Sequence, residues 1–218
     1  MGLIDVRELA YTFDSGNSAP RISFSVEPGA AVWVTGRSGL GKTTLLRCLA
    51  RLQPIRAADV TLRGVSWKDI SPIRWRKDVA YLHQEPALFP GSVRHNLSRA
   101  FDLHVRAAQA FDPARAVAYL TRLRLPEETM DRDALTLSVG EGARVALVRA
   151  LMVNPAFLLL DEPSAALDAA SRDALSELLL EWLAGSDRGV LGTTHDRELI
   201  QALPGREIVL GENGGSGE

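Results

Sequence analysis

The 218-residue chain contains a single cysteine, Cys48, which therefore has no partner within the sequence for a disulfide. Such cysteine usage is compatible with a reducing compartment. No apolar run approaches the length that crosses a bilayer, and residues 1–10 mix charges into an alternating pattern that predicts no secretory signal. The histidines His83, His95 and His104 lack metal-ligand spacing, so we expect no structural metal. If the protein works at a membrane, it does so through a partner.

The sequence also lacks an excess of charge of either sign. The 27 acidic and 25 basic side chains nearly cancel, to a formal net charge of −2, and they are interspersed along the chain. This balance argues against a nucleic-acid-binding surface as the main feature, and we expect no nucleic-acid partner. The length allows one substantial core with room for an inserted subdomain but hardly for two full domains.

The most informative stretch is the glycine-rich segment GRSGLGKTT at residues 36–44, which we call the phosphate loop. An apolar run at residues 30–35 predicts a strand before it, and leucines at helical spacing predict a helix after it. Glycines let backbone N–H groups converge on a phosphate, and the helix adds its N-terminal dipole. Lys42 is expected to reach the β- and γ-phosphates, and the Thr43 hydroxyl to hold Mg²⁺. The predicted nucleotide-binding residues are Gly36, Arg37, Ser38, Gly39, Leu40, Gly41, Lys42, Thr43 and Thr44.

Polar residues follow two further predicted strands. The apolar run 79–82 precedes Gln84, whose amide oxygen can reach Mg²⁺ or an attacking water, although alone it would be an ordinary loop glutamine. The apolar run 157–160 precedes Asp161 and Glu162, and a buried parallel strand ending in acids is where a doubly wound sheet puts its site. Asp161 can bind Mg²⁺ through its water shell, and Glu162 can polarise a water for attack. The alternative is an acidic pair that merely caps a strand.

Two aromatic positions carry weaker signals. His195 follows the predicted strand 190–194, and we favour a donor to the γ-phosphate over a hydrogen-bonded structural histidine. Tyr11 ends the first predicted strand, and we favour stacking on adenine over packing at the strand edge, with Phe13 as the substitute candidate.

The middle of the chain lacks strand signals and predicts a mostly helical insertion. Segment 86–97 is loop-like, and its bulky apolar pair suits either a core or a docking surface. Apolar residues at helical spacing predict a helix over 113–123. Ser138 and Glu141 fit a capping box at the start of a further helix, which by itself accounts for these two residues.

In this order the motifs resemble the ATP-binding subunit of an ABC transporter over nearly the whole chain. The matching elements are Tyr11, the phosphate loop, Gln84, the signature-like LSVGE at 137–141, LLLDEP at 158–163, SAALD at 164–168 and His195. The resemblance implies an α/β fold, with a RecA-like P-loop core that carries an antiparallel β subdomain and covers about residues 1–84 and 152–218. An α-helical signature subdomain is then inserted over about residues 85–151.

The resemblance also implies ATP and Mg²⁺ as cofactors. It implies a head-to-tail dimer, with a second copy or a sibling ATPase, in which ATP lies between one phosphate loop and the other subunit's signature helix. Ser138 and Gly140 then contact the γ-phosphate in trans, which suits a helix N-terminus, and Asp168 belongs to the nucleotide site. A separate membrane permease is the implied partner, and it would hold the ATPase at the cytoplasmic face of the cell membrane.

Within the family, the segments PALFPGSVRHNL and LPEETMDRDALTLSVGE resemble small two-component transporters described as iron exporters of the Fet type. The usual signature is Leu-Ser-Gly-Gly-Gln, and here Val139 and Glu141 depart from it. A β-branched residue restricts the backbone, and a carboxylate adds negative charge near a triphosphate. We therefore expect a site that hydrolyses ATP but closes less readily.

Two other functions compete with transport. One is a short ABC ATPase that regulates a membrane protein without moving a substrate. The other is a soluble ABC ATPase acting on DNA, ribosomes or assembly machinery, which usually carries a tandem nucleotide domain, a coiled-coil insertion or zinc-binding cysteines that this sequence lacks. A P-loop kinase is disfavoured, because the signature-like segment, residues 164–168 and His195 would then be coincidences.

Overall fold

Two β-sheets and the helices around them form the protein. The computed structural model describes residues 2–12, 19, 21–102, 110–185 and 187–211. The strands are β1 (Ile4–Ala10), β2 (Ile22–Val26), β3 (Ala31–Thr35), β4 (Ala57–Leu62), β5 (Val65–Ser66), β6 (Val79–Leu82), β7 (Phe157–Asp161), β8 (Gly189–Thr193) and β9 (Gly205–Val209). The α-helices are α1 (Lys42–Leu49), α2 (Pro72–Asp78), α3 (Val93–Ser98), α4 (Pro113–Arg122), α5 (Val139–Met152), α6 (Ala169–Leu183) and α7 (Arg197–Ala202). Short 3₁₀ helices cover Trp67–Asp69, Arg99–Asp102, Glu127–Asp131 and Ala134–Thr136.

The central sheet is parallel, with the strand order β6-β7-β8-β3-β9. Both faces of its inner strands are covered, as an all-parallel sheet requires. In β3, for example, Val32 and Val34 join the apolar cluster that contains α1, whereas Ala31 and Trp33 join the cluster that contains α5 and α6. The sheet therefore lies between two apolar layers, and its strand ends are the places where polar residues can reach solvent.

The second sheet is antiparallel, with the order β2-β1-β4-β5. Its inner face shares a core with α1 and with the central sheet. Between β6 and β7, the described residues form helices, with a single bridge between Ser92 and Asp133. The fold is thus a mixed α/β fold with the parallel sheet, antiparallel sheet and helical segment that the sequence predicts. In the part of the chain described, no helix is both long and apolar enough to span a membrane.

Three elements differ from the sequence prediction. Segment 86–97 is not all loop, because Ser92 accepts a hydrogen bond from the His95 N–H at 3.1 Å and caps α3. Helix α7 and strand β9 were not predicted. β9 is an edge strand in which only Ile208 is buried, so its sequence lacks the apolar pattern of the inner strands.

Candidate nucleotide site

The carboxyl ends of β3, β6, β7 and β8 meet at one edge of the parallel sheet, and a cavity of about 870 Å³ opens there. This is the place where open α/β sheets hold their ligands. The lining residues are Ser38, Gly39, Gly41, Lys42, Thr43, Thr44, Gln84, Asp161, Glu162, Ser164, Ala165, Leu167, Arg172, Thr193, Thr194, His195 and Asp196. Six loop residues, Gln84, both acids and His195 are thus brought together. Gly36, Arg37 and Leu40 belong to the same loop without lining the cavity.

The phosphate loop curls around the ammonium group of Lys42. Lys42 Nζ donates to the carbonyl oxygens of Gly36 at 2.7 Å and Arg37 at 3.1 Å. Gly36 has a φ of 139°, and a Cβ there would lie 2.7 Å from the Leu210 carbonyl oxygen, so only glycine fits. Gly41 occupies the N-cap of α1 and provides no side chain to bond the first N–H groups. Those groups, the helix dipole and the lysine all favour an anion at this point.

Asp161 is the centre of a buried hydrogen-bond cluster at the end of β7, with 2% of its surface exposed. Its Oδ1 accepts from the hydroxyls of Thr43 at 3.1 Å and Thr193 at 2.8 Å, and its Oδ2 accepts from the Tyr81 hydroxyl at 3.1 Å. Burial and the neighbouring Asp161 charge raise the pKa of Tyr81 to about 12. The oxygen atoms of Thr43, Asp161 and Gln84 around one wall are the donor set that suits a hard cation such as Mg²⁺.

Glu162 turns the chain sharply after β7. Its φ of 49° is in the left-handed region, and its N–H donates to the Thr193 carbonyl at 2.9 Å. The carboxylate accepts from the His195 backbone N–H at 3.3 Å, and His195 Nε2 lies 3.5 Å from Glu162 Oε1. The Glu162 side chain is 17% exposed and that of His195 is 68% exposed. A largely buried carboxylate beside an exposed imidazole at the cavity wall suits activation of a water next to a phosphate.

The sequence did not single out three residues that line the cavity, Thr193, Arg172 and Asp196, or Tyr81, which bonds Asp161 from outside the lining. Thr193 is buried at the end of β8, where its hydroxyl donates to the Asp161 carboxylate and accepts from the Glu162 backbone N–H. The pair of threonines that ends this apolar strand is the sequence feature that could have indicated it. Tyr81 lies within the short strand β6 and gave no signal. Arg172 lies at 3.6 Å from Asp196 Oδ2, and this ion pair joins α6 to the start of α7.

The expected stacking of Tyr11 on adenine is wrong. Only 2% of its surface is exposed, its ring belongs to the core between the two sheets, and its hydroxyl donates to the Gly41 carbonyl at 3.3 Å. Burial raises the pKa of Tyr11 well above its ordinary value. A buried ring has no free face for a base, so the packing alternative is the correct one. The substitute candidate, Phe13, lies outside the described residues.

The signature-like segment begins α5 and does not line the cavity. Ser138 Oγ accepts from the Glu141 N–H at 3.2 Å, and the Ser138 N–H donates to Glu141 Oε2 at 2.8 Å, which confirms the capping box. Glu141 also accepts from both terminal nitrogens of Arg132, at 2.6 and 3.4 Å. The Arg132 guanidinium and the Ser138 backbone lower the pKa of Glu141 to about 2. Val139, at the first position of the helix, is 76% exposed.

Gly140 and Asp168 both have structural roles within this chain. A Cβ on Gly140 would lie 2.7 Å from the Ala166 carbonyl oxygen, so the glycine lets α5 pack against residues 164–168. Asp168 caps α6 by accepting from the Ser171 N–H at 2.7 Å, and this bond lowers the pKa of its carboxyl. Neither residue lines the cavity, so the contacts predicted for them with nucleotide stay predictions.

A second depression of about 480 Å³, which we call the apolar groove, lies between β6 and α5. Phe89 forms part of its wall, with the guanidinium carbons of Arg99 and Arg149 at 4.1 and 5.4 Å from its ring centre. Arg149 also donates to the Ala87 carbonyl at 2.9 Å. Burial and the neighbouring Arg99 charge lower the pKa of Arg149. The groove therefore combines an apolar wall with crowded positive charge.

Comparison with known proteins agrees with this geometry. Residues 20–165 match the profile of the family described as "ABC transporter". "Probable iron export ATP-binding protein FetA" of Escherichia coli (strain K12) is 32% identical over 198 residues, which make up 91% of this chain and 87% of that protein. "Fe(3+) ions import ATP-binding protein FbpC 3" of Rhodococcus jostii (strain RHA1) is 36% identical over 192 residues, 87% of this chain but only 54% of that longer protein.

The fold has solved counterparts. A chain described as "Structure of ATP binding subunit of ABC transporter" superposes with a TM-score of 0.86 at 24% identity, over 99% of this chain and 88% of that one. At this level of identity the likeness shows the fold.

Proposed function

Since this chain belongs to the ABC transporter family as an ATP-binding and ATP-hydrolysing subunit, we propose that its ATP site is completed by a second nucleotide subunit. The supporting observation is the separation of two anion-binding features on one chain. The cavity contains the phosphate loop, both acids and His195, whereas the N-terminus of α5 with Ser138 and Gly140 does not contribute to it. ATP on one chain would meet that helix from a partner copy, or from a sibling ATPase.

Within one chain, we assign the phosphate loop and Lys42 to the β- and γ-phosphates. Thr43, Asp161 and Gln84 would hold Mg²⁺, which supplies charge neutralisation to the phosphates when it is bound. Asp161 is well prepared for this, because its hydrogen bond with the Thr43 hydroxyl already joins the two expected ligands. With Tyr11 buried, Phe13 becomes the residue that we assign to the adenine ring.

Hydrolysis then depends on positioning. Glu162 would polarise the attacking water, and His195 would donate to the γ-phosphate while its contact with Glu162 keeps the two groups together. Gln84 borders the same cavity and would orient the water or the metal. The partner's Ser138 and Gly140 would close over the γ-phosphate, and Asp168 would act at the same interface. ATP binding would close the dimer, and hydrolysis would reopen it.

We further propose that a separate membrane permease docks on the apolar groove and holds the ATPase at the cytoplasmic face of the membrane. Tyr81 and His83, the residue before Gln84, both line the groove. Because the Tyr81 hydroxyl donates to Asp161, a helix docked against Tyr81 would be linked to the metal site through that hydrogen bond. Residues 85–151 would then move as the inserted helical subdomain. The named relatives are an iron exporter subunit and an Fe(3+) importer subunit, so their names support transport coupling without fixing a direction.

Steady-state ATPase activity against protein concentration tests the composite site, with the unmodified chain beside Glu162→Gln. The rate should rise faster than linearly with concentration, because two chains form each site. Glu162→Gln should lower turnover by about a hundredfold or more, within the range seen when catalytic groups are removed, while ATP still binds. A rate strictly proportional to concentration, down to concentrations at which the chain is monomeric by analytical ultracentrifugation, would contradict the shared site. Retained turnover in the variant would refute the role of Glu162.

A further inference from the structure

Glu141 places a carboxylate within the first turn of α5, the helix end that the proposed function presents to a triphosphate. An uncompensated charge there would repel the ligand. The structure compensates it: Arg132 donates to both carboxylate oxygens, at 2.6 and 3.4 Å, and the same carboxylate accepts from the Ser138 N–H at 2.8 Å. One carboxylate thus joins a cation to the cap of the signature helix.

The backbone of Arg132 is itself fixed. Its carbonyl accepts from the Val93 N–H at 3.0 Å, and its N–H donates to the Thr129 carbonyl at 3.2 Å. The next residue, Asp133, forms the bridge with Ser92. The guanidinium is therefore presented to Glu141 from a backbone that is bonded on both sides, which lowers the entropy lost in forming the pair.

Arg144, the other arginine near Glu141, lies on α5 and forms hydrogen bonds with other groups. Arg144 donates to the carbonyl oxygens of Gly140 at 3.2 Å and Leu123 at 3.0 Å, and to Ser171 Oγ at 3.0 Å. It ties α5 to α4 and α6 and does not bond Glu141. Arg132 is thus the residue whose loss would leave the Glu141 charge without its bidentate partner.

We propose that Arg132 is a positioning residue of the composite ATP site, which neutralises Glu141 and holds its carboxylate against the Ser138 cap. The inference rests on the proposed function, since the α5 terminus matters to hydrolysis only if it meets a partner's ATP. Without Arg132, the carboxylate keeps its charge but is free to swing toward the incoming phosphates. Removal of both charges should therefore be less harmful than removal of the cation alone.

ATP-driven dimerisation tests this directly. Full-length chains carrying Glu162→Gln, so that ATP persists, are followed by analytical ultracentrifugation with ATP and Mg²⁺. Adding Arg132→Gln should weaken the ATP-dependent dimer by about tenfold, which corresponds to about 1.4 kcal/mol. Adding Glu141→Gln should leave it unchanged or stronger. The double change Arg132→Gln with Glu141→Gln should recover dimerisation to within about twofold of Glu141→Gln alone, within the error expected when an interaction is already absent.

Matched variants separate this role from a general loss of stability. Arg94→Gln removes the exposed pair between Arg94 and Asp131, the residue before Arg132, and it should have no effect because this pair does not include Glu141. Arg132→Lys keeps the charge without the bidentate geometry and should fall between wild type and Arg132→Gln. ATP binding to the monomer should be equal in all variants, because the phosphate loop is untouched.

Three results would overturn the inference. Normal dimerisation of Arg132→Gln, or an equal loss with and without Glu141→Gln, would show that the pair does not position the site, while the composite site itself would stand. Failure of the starting chain to dimerise with ATP would overturn the composite site, and this inference with it.

Discussion

At the scale of single residues, the most instructive correction concerns Tyr11. In β1 the inward positions are Ile4 and Val6, and a bulge then shifts the alternation so that Leu9 and Tyr11 point inward. Glu8, with a φ of 51°, lies within that bulge. A one-residue slip reverses which face a side chain occupies. The sequence therefore indicated an aromatic near the nucleotide but could not reveal which aromatic faces the core.

Substitutions at Tyr11 should affect the stability of the fold, whereas substitutions at Phe13 should affect the affinity for ATP. Tyr11→Ala should lower the free energy of unfolding by about 3–5 kcal/mol, as expected for a buried aromatic ring, and Tyr11→Phe by about 0.5–1.5 kcal/mol through the lost hydrogen bond to Gly41. Phe13→Ala should instead weaken ATP binding by about 1–3 kcal/mol, the usual worth of stacking on a base. Urea denaturation and ATP titration measure the two quantities. Unchanged ATP affinity in Phe13→Ala, or a large loss of affinity in Tyr11→Ala chains that remain folded, would contradict this division.

At the scale of elements, helix α5 shows both what a local pattern reveals and what it hides. The capping box follows from two residues three positions apart, and the sequence predicted it. Arg132 lies outside that pattern, and its contact with Glu141 depends on how the 3₁₀ helices on either side of it place it. Glu141 therefore has its charge paired and its backbone capped, so the expected cost of this departure from the usual signature is reduced.

Val139 is the departure with the larger expected effect. It is exposed at the first turn of α5, next to Ser138, the N-cap of that helix. Val139→Gly should raise the ATPase rate a few-fold by allowing closer approach of a partner's nucleotide. The same change should lower stability by up to about 1 kcal/mol, because glycine is a poor helix former. Val139→Ala is the matched control for lost bulk without added backbone freedom, and unchanged or lower activity in both would contradict the account.

Elements with weak apolar patterns were the ones missed. β9 buries one side chain on the edge of the sheet, and α3 owes its start to the Ser92 cap rather than to a periodic stripe. By contrast, β7 has four apolar residues in succession and is buried along its whole length. Patterns strong enough to predict are those of elements covered on both faces, which explains why the central sheet was predicted better than its margins.

At the scale of the whole molecule, the parallel sheet explains why residues far apart in sequence form one site. Thr43 and Asp161 are 118 positions apart, and Thr193 is a further 32 along the chain, yet the hydroxyls of both threonines donate to the Asp161 carboxylate. Parallel strands place their carboxyl ends at one edge, so motifs after successive strands converge there. The sequence could predict that convergence. It could not predict Tyr81, whose role depends on the register between β6 and β7.

The central claim is that each ATP site is shared by two chains, and a mixing experiment tests it most directly. Lys42→Ala removes the cation of the phosphate loop. Val139→Asp keeps α5 folded, because a carboxylate is favourable at a helix N-terminus, but it places a negative charge where a partner's triphosphate must bind.

Each variant alone should lack ATPase activity, because every site in its homodimer is damaged. Mixed chains form dimers in which one site combines the intact phosphate loop of the Val139→Asp chain with the intact signature of the Lys42→Ala chain. We predict that equal mixing restores about a quarter of the wild-type rate per chain, since about half of the dimers are mixed and each has one intact site of two. No recovery on mixing, with both variants folded and the Val139→Asp chain still binding ATP, would contradict a site shared between two copies.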